Sequence, residues 1–140
     1  MSRNLSCVAV SALLILVTGC KKPDAKCIDR DRVLAKLDQA AALLQDGAKA
    51  AGEHSASAVE QITSAAKVTD SIADDLGPSP EAASELRVAA ARLRTAAAEV
   101  VKPGGDERAI RDIGEAAKHF RAGSVPLATD SALFCQPAVH

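Results

Sequence analysis

The fold is decided most clearly by residues 79–100, which read SPEAASELRVAAARLRTAAAEV. The stretch opens with a capping serine at Ser79, a proline at the first helical position and an acid, Glu81, near the positive end of the helix dipole. Apolar residues then alternate at steps of three and four, the spacing that turns one face of an α-helix toward a core. These residues are Ala83, Leu86, Ala90, Leu93, Ala97 and Val100. We therefore predict an amphipathic helix that runs to Val100.

The same spacing occurs in three other segments, so the chain is expected to form four amphipathic helices. Their apolar positions are Val33, Leu37, Ala40, Leu44, Ala48 and Ala51 in the first helix, Val59, Ile62, Ala66, Thr69, Ala73 and Leu76 in the second, and Ile110, Ile113, Ala117 and Phe120 in the fourth. Because the connections are short, the segments predict an all-α fold, an up-down-up-down antiparallel four-helix bundle.

Helix boundaries are indicated by glycine, proline and capping residues. The expected signals are a left-handed Gly52 that ends the first helix, a capping box of Ser57 and Glu60, a break at Gly77-Pro78, another at Pro103-Gly104-Gly105, an Asp106 cap on the fourth helix, and Gly123 with Pro126 at its end. Gly47 and Gly114 lie inside helices, where glycine is typical of close packing between two helices.

The composition excludes several classes of function. The 140 residues carry a formal net charge of −1, whereas a nucleic-acid-binding protein needs a basic excess on one face. Aromatic residues make up 1% of the chain, which leaves little to stack on bases or to line an aromatic pocket. Alanine, by contrast, occurs 30 times. We expect a helical core that buries little area for each residue, and no nucleic-acid partner.

The first twenty residues have the features of an export signal. Arg3 precedes a mostly apolar stretch of ten residues, 8–17, which is too short to span a bilayer as a helix but suits the hydrophobic region of a secretory signal. The sequence Val17-Thr18-Gly19-Cys20 follows, and the chain then turns polar. A small residue before a cleavage point also suits an ordinary secreted protein, in which Cys20 would pair elsewhere.

This segment resembles the signal of bacterial lipoproteins, with Cys20 at the position that the family's lipobox reserves for cysteine. The resemblance implies cleavage before Cys20 and attachment of diacylglycerol to its sulfur, usually with acylation of the new amino terminus. Lys21 at the second mature position favours, by the same resemblance, the periplasmic face of the outer membrane in a cell with two membranes. In a cell with one membrane the signal implies the outer surface.

These expectations divide the chain into four parts. Residues 1–19 are a signal peptide that is removed, and residues 20–27 are a lipidated tether. Residues 28–135 form the helical bundle, and residues 136–140 are a C-terminal tail. Lys21 and Lys22 in the tether would lie among lipid headgroups, where basic residues add about 1 kcal/mol each to membrane binding.

Two cysteines remain for pairing once the signal is removed and Cys20 carries lipid. We expect Cys27 and Cys135 to form a disulfide, because export places them in an oxidising compartment. An even number of antiparallel helices also returns the chain to its starting end, where these residues would meet. The bond would close a loop of more than 100 residues, which stabilises a fold by up to about 4.7 kcal/mol. Two free thiols, or a Cys27–Cys27 bond between chains, are the alternatives.

Candidate catalytic and metal-binding motifs are few. Glu115 and His119 are spaced to hold a metal on one helix face, but with Glu107 and Arg111 they form a ladder of alternating charge that is typical of a solvated face. The mature sequence has no Glu-x-x-His, His-Glu-x-x-His or Gly-x-Ser-x-Gly. We therefore predict no catalytic residues, no metal site and no cofactor.

The function expected from these features is that of a lipid-anchored cell-envelope protein, a non-enzymatic interaction, scaffold or accessory module with a protein partner. The alternative is a periplasmic bundle that binds a small ligand or a metal between its helices. The third helix carries eight alanines, enough for a second smooth face that could receive a partner helix, although alanine is also an ordinary surface helix former.

Overall fold

Four long α-helices follow one another along the chain in a computed structural model that describes residues 28–77, 80–130 and 134. They are α1 (Arg30–Gly52), α2 (Ala58–Leu76), α3 (Glu81–Val100) and α4 (Asp106–Thr129). The described residues contain no β-strand. The predicted all-α helical bundle is confirmed.

Consecutive helices pack side by side and run in opposite directions. In each pair, residues near the start of one helix lie against residues near the end of the other. Examples are Lys36–Asp75 between α1 and α2, Arg87–Asp74 between α2 and α3, and Gly123 against Ala82 and Leu86 between α3 and α4. α4 returns beside α1. We call each line of contact between neighbouring helices a seam; this fourth seam is the loosest of the four.

The core consists of two clusters, one at each end of the bundle. The first lies at the end where α1 begins and contains Val33, Leu37, Ala40, Ile72, Ala73, Leu76, Ala82, Ala83, Leu86, Leu127 and Phe134. The second contains Ala50, Ala51, Ala58, Ile62, Ala65, Ala66, Leu93, Ala96, Ala109, Ile113 and Ala116. Alanine supplies eight of the eleven residues in the second cluster, so the helices there are held by close contact of small side chains.

Two glycines mark points where helices approach most closely. A Cβ atom on Gly47 would lie 3.0 Å from Ile62 Cγ1, and one on Gly123 would lie 2.8 Å from Leu86 Cγ and 2.9 Å from the Ala82 carbonyl oxygen. The expected packing role of Gly47 is therefore confirmed. The same expectation for Gly114 is wrong, because Gly114 is exposed and a Cβ atom there would meet nothing within 4 Å.

The predicted end of α4 at Gly123 and Pro126 is wrong. The helix continues to Thr129, with Pro126 inside it. Proline in a helix costs about 3 kcal/mol because it lacks an N–H and crowds the preceding turn. Leu127, fully buried in the first cluster, offsets this cost by packing the last turn against the core. The Asp130 N–H donates to the Pro126 carbonyl at 2.8 Å and closes the helix.

Two predicted caps do not form. Ser57 has helical angles (φ −79°, ψ −9°) and makes no capping bond; its hydroxyl lies 3.0 Å from the hydroxyl of Ser55, so the capping box with Glu60 is absent. Asp106 is the first residue of α4 and not its cap. Its carboxylate instead lies 2.7 Å from His54 Nδ1, across the loops that join the helices at this end.

The start and end of α1 also differ from expectation. Asp29 caps the start of the helix, where no cap was predicted, and its side chain accepts a hydrogen bond from the Arg32 N–H at 3.2 Å. The helix ends at Gly52 as predicted, but the left-handed residue is His54, with φ 53°. In α3 the helix begins at Glu81, with Pro80 as the flanking residue. The expected Ser79 cap lies outside the described residues.

The two glycines of α4 provide a test of this packing. Gly123→Ala should destabilise the fold by about 1–3 kcal/mol, because the added methyl group meets backbone as well as side chain. Gly114→Ala is the matched control and should stabilise it by about 0.5–1 kcal/mol, because it only improves helix propensity at an open site. Urea unfolding followed by circular dichroism measures both. Equal effects of the two substitutions would contradict the close approach of α3 and α4.

Candidate functional site

The residues predicted to carry the anchor and the disulfide, Cys20, Cys27 and Cys135, lie outside the described residues. Their neighbours Ile28 and Phe134 are described, and both pack against the first core cluster. These two positions therefore lie at the same end of the bundle.

The two candidate metal ligands on α4, Glu115 and His119, each pair with a different partner. Lys118 donates to the Glu115 carboxylate at 2.6 Å, while His119 Nδ1 lies 2.7 Å from Glu85 Oε2 on α3. The predicted solvated ladder holds for Glu107, Arg111 and Glu115, which are exposed, but His119 is half-buried and belongs to the seam between α3 and α4. Within the described residues, no group of three or more His, Cys, Asp or Glu side chains is placed to hold a metal ion.

Ion pairs run along three of the four seams between helices. Between α1 and α2, Lys36 Nζ lies 2.5 Å from Asp75 Oδ2 and also donates to the Ser71 hydroxyl at 2.7 Å. The seam between α2 and α3 carries Arg94–Asp70 and Arg87–Asp74, and the seam between α3 and α4 carries Arg92–Asp112, Arg108–Glu99 and His119–Glu85. Each pair adds little by itself at a solvated surface.

Two carboxylates on these outer faces have shifted pKa values. A hydrogen bond from Lys102 lowers the pKa of Glu99, against a smaller opposing effect of burial, and Arg108 lowers it further. A hydrogen bond from Lys118 likewise lowers the pKa of Glu115. Both groups are therefore ionised at neutral pH, and Lys118 is held by Glu115.

The fourth seam, between α1 and α4, is different: it is open and apolar. A groove of about 250 Å³ lies there, which we call the α1–α4 groove. It is lined by Leu34, Leu37, Asp38, Ala41, Phe120, Ser124, Val125 and Ala128. Leu34 and Phe120 form its floor, since both are half-buried and pack against the first core cluster. Val125 stands on its wall with 54% of its surface exposed.

The apolar surface extends past the groove on α4. Ala117, Ala122 and Pro126 surround Val125 there, with Lys118 and Arg121 beside them. Val125 thus belongs both to the groove and to the neighbouring apolar surface of α4.

One acidic side chain of the groove and one basic side chain of the adjoining α4 surface make no ion pair with any described residue. Asp38 lies on the α1 wall and Arg121 is one turn before Val125 on α4; both are exposed. At the opposite end of the seam, the contact of His54 with Asp106 joins the end of α1 to the start of α4. The seam is thus held at one end and open along the half that lies near Ile28.

The smooth face expected on α3 lies mostly inside the bundle. Of its eight alanines, Ala91 and Ala98 are exposed, Ala97 is half-buried and the other five are buried. The open apolar surface of this molecule is consequently on α1 and α4, which helical spacing alone did not indicate.

None of the described helices is long and apolar enough to cross a membrane. Comparisons with known protein families, with curated proteins and with solved structures find no match to this chain.

Substitutions on α4 distinguish the groove surface from the core. Val125→Ser should change the free energy of unfolding by no more than about 0.5 kcal/mol, because Val125 is exposed. Leu127→Ala, two residues along the same helix, should cost about 2–5 kcal/mol, because Leu127 is fully buried. Chemical denaturation gives both values. A large loss in Val125→Ser would mean that Val125 belongs to the core and not to an open surface.

Proposed function

We propose that this chain is exported and anchored by lipid on Cys20, and that its helical bundle acts in the cell envelope as a non-enzymatic protein-interaction module. The observation that carries the second part is the α1–α4 groove. Three seams of the bundle are fastened by ion pairs, whereas the fourth presents apolar side chains to solvent. A partner that covered these side chains would remove apolar surface from water, which is favourable.

The anchor is supported by the order of features in residues 1–20: a positive residue, an apolar stretch and the Val17-Thr18-Gly19-Cys20 sequence. Acyl chains contribute about 0.8 kcal/mol for each buried methylene group, so two or three of them hold a protein at a membrane without a spanning helix. The location we propose is the periplasmic face of the outer membrane in a cell with two membranes.

A disulfide between Cys27 and Cys135 is part of this proposal. Its support is that Ile28 and Phe134, the residues next to the two cysteines, both pack on the first core cluster. The bond would tie the start of α1 to the segment after α4, at the end of the bundle that faces the tether.

Intact mass of the protein purified from membranes tests the anchor and the disulfide together. We expect the mass of residues 20–140 plus acyl chains, with two alkylatable thiols that appear only after reduction. A mass without lipid would contradict the anchor, and Cys20 would then be available to form a disulfide. Thiols that react without reductant would contradict the disulfide.

Site-specific cross-linking in the envelope tests the interaction surface. A photoreactive residue at position 125, on the groove wall, should give covalent protein products in cells that make the full chain. The matched control is position 91, an exposed alanine on α3, which does not line the groove; it should give none. Equal product at both positions, or none at position 125, would contradict a partner at the groove.

A further inference from the structure

We propose that the partner of the α1–α4 groove is a second copy of this chain, packed groove to groove about a twofold axis parallel to the helices. The inference rests on the groove being an interaction surface, as proposed above. It adds the identity of the partner, and it depends on charge placement as well as on apolar area.

The first step is geometric. A twofold axis parallel to the bundle leaves heights along the helices unchanged and exchanges left with right. In each half of the dimer, α1 would therefore face α4 of the partner subunit. Because α1 and α4 run in opposite directions within one chain, the helices that meet between chains would also be antiparallel, the arrangement already found at every seam of the bundle.

The second step is charge complementarity. Asp38 lines the groove on α1, and Arg121 lies on the adjoining surface of α4 that shares Val125 with the groove. The two residues are at similar heights, since Asp38 and Phe120 line the groove together and Arg121 follows Phe120. The twofold places Asp38 near the partner's Arg121, and Arg121 near the partner's Asp38. Two ion pairs would form at the rim between residues that make no ion pair within the described chain. Like charges would meet in neither position.

The third step is area. α1 and α4 have 23 and 24 residues, so each is about 35 Å long. Two helices about 9 Å apart present a face roughly 18 Å wide, or on the order of 600 Å² for each copy over their whole length, of which the open groove takes up about half. An interface of about 1,200 Å² in total lies at the lower end of the range for specific complexes. A reversible dimer is therefore expected, and not an obligate one.

The same axis fits the proposed anchor. It keeps Ile28 of both copies at one end of the dimer, so both tethers would reach a single membrane. A twofold axis perpendicular to the helices would send the two tethers to opposite ends.

Charge-swap variants test the dimer in solution. The sample is the mature chain, residues 20–140, with Cys20→Ser to prevent lipidation, studied by sedimentation over a range of concentrations. We expect reversible dimers. Asp38→Arg should raise the dissociation constant about tenfold, because it sets two cations opposite each other at both rims. Arg121→Asp should do the same by pairing two acids, and the double variant should restore dimerisation.

The matched control is Asp46→Arg, the same change at an exposed acid on the outer face of α1. It should leave the dissociation constant unchanged. Monomers at every concentration would overturn the proposal. The proposal would also be overturned if neither single substitution changed the dissociation constant of the dimer, or if the double variant dimerised more weakly than either single variant.

Cross-linking in the full chain separates this proposal from the more general one. Product from position 125 at twice the mass of the chain, lost in Asp38→Arg and regained in the double variant, would support self-association. Product of any other mass would overturn the second copy as partner while leaving the groove as an interaction surface.

Discussion

Close contact between small side chains is the constraint on which the rest of this bundle depends. Alanine fills most of the second cluster, and at Gly47 and Gly123 an added methyl group would come within 3.0 Å of the facing helix. Such contacts define position well but bury little apolar area for each residue. The free energy that holds the helices together must therefore come from many weak terms, which include the few large side chains, the ion pairs of the seams and, by our proposal, a disulfide.

The distribution of ion pairs gives the bundle its asymmetry. Ion pairs lie on the three seams that α2 and α3 share with their neighbours, and those two helices turn most of their alanines inward. Between α1 and α4, within the described residues, the ion pair is that of His54 with Asp106 at one end. The surface left between these two helices is mostly apolar.

Helical spacing predicts the helices and most of the core, because burial repeats with the period of the helix itself. Val33, Ile62, Leu86, Leu93 and Ile113 were all expected on inner faces and are buried there. Helix ends are less predictable, since a tertiary contact can outweigh a local breaking signal. Leu127 does this where Pro126 would otherwise end α4.

The groove could not be predicted from spacing for a different reason. Whether a half-buried residue such as Phe120 faces a neighbour or an opening depends on which seams close, and that depends on pairs of charges distant in sequence. A usable signal was present nonetheless. Asp38 and Arg121 have no opposite charge three or four residues away on their own helix, whereas most charges of α3 find partners on adjacent helices.

The alanine core also affects how stability responds to temperature. The heat-capacity change on unfolding grows with the apolar area that is newly hydrated, and it sets the curvature of the stability curve. A core built mainly of methyl groups hydrates less area than one of leucine and phenylalanine, and alanine gives up almost no side-chain entropy when it is buried. We therefore expect the free energy of unfolding to follow a broad, shallow curve against temperature, with a low maximum and only a small decrease on cooling.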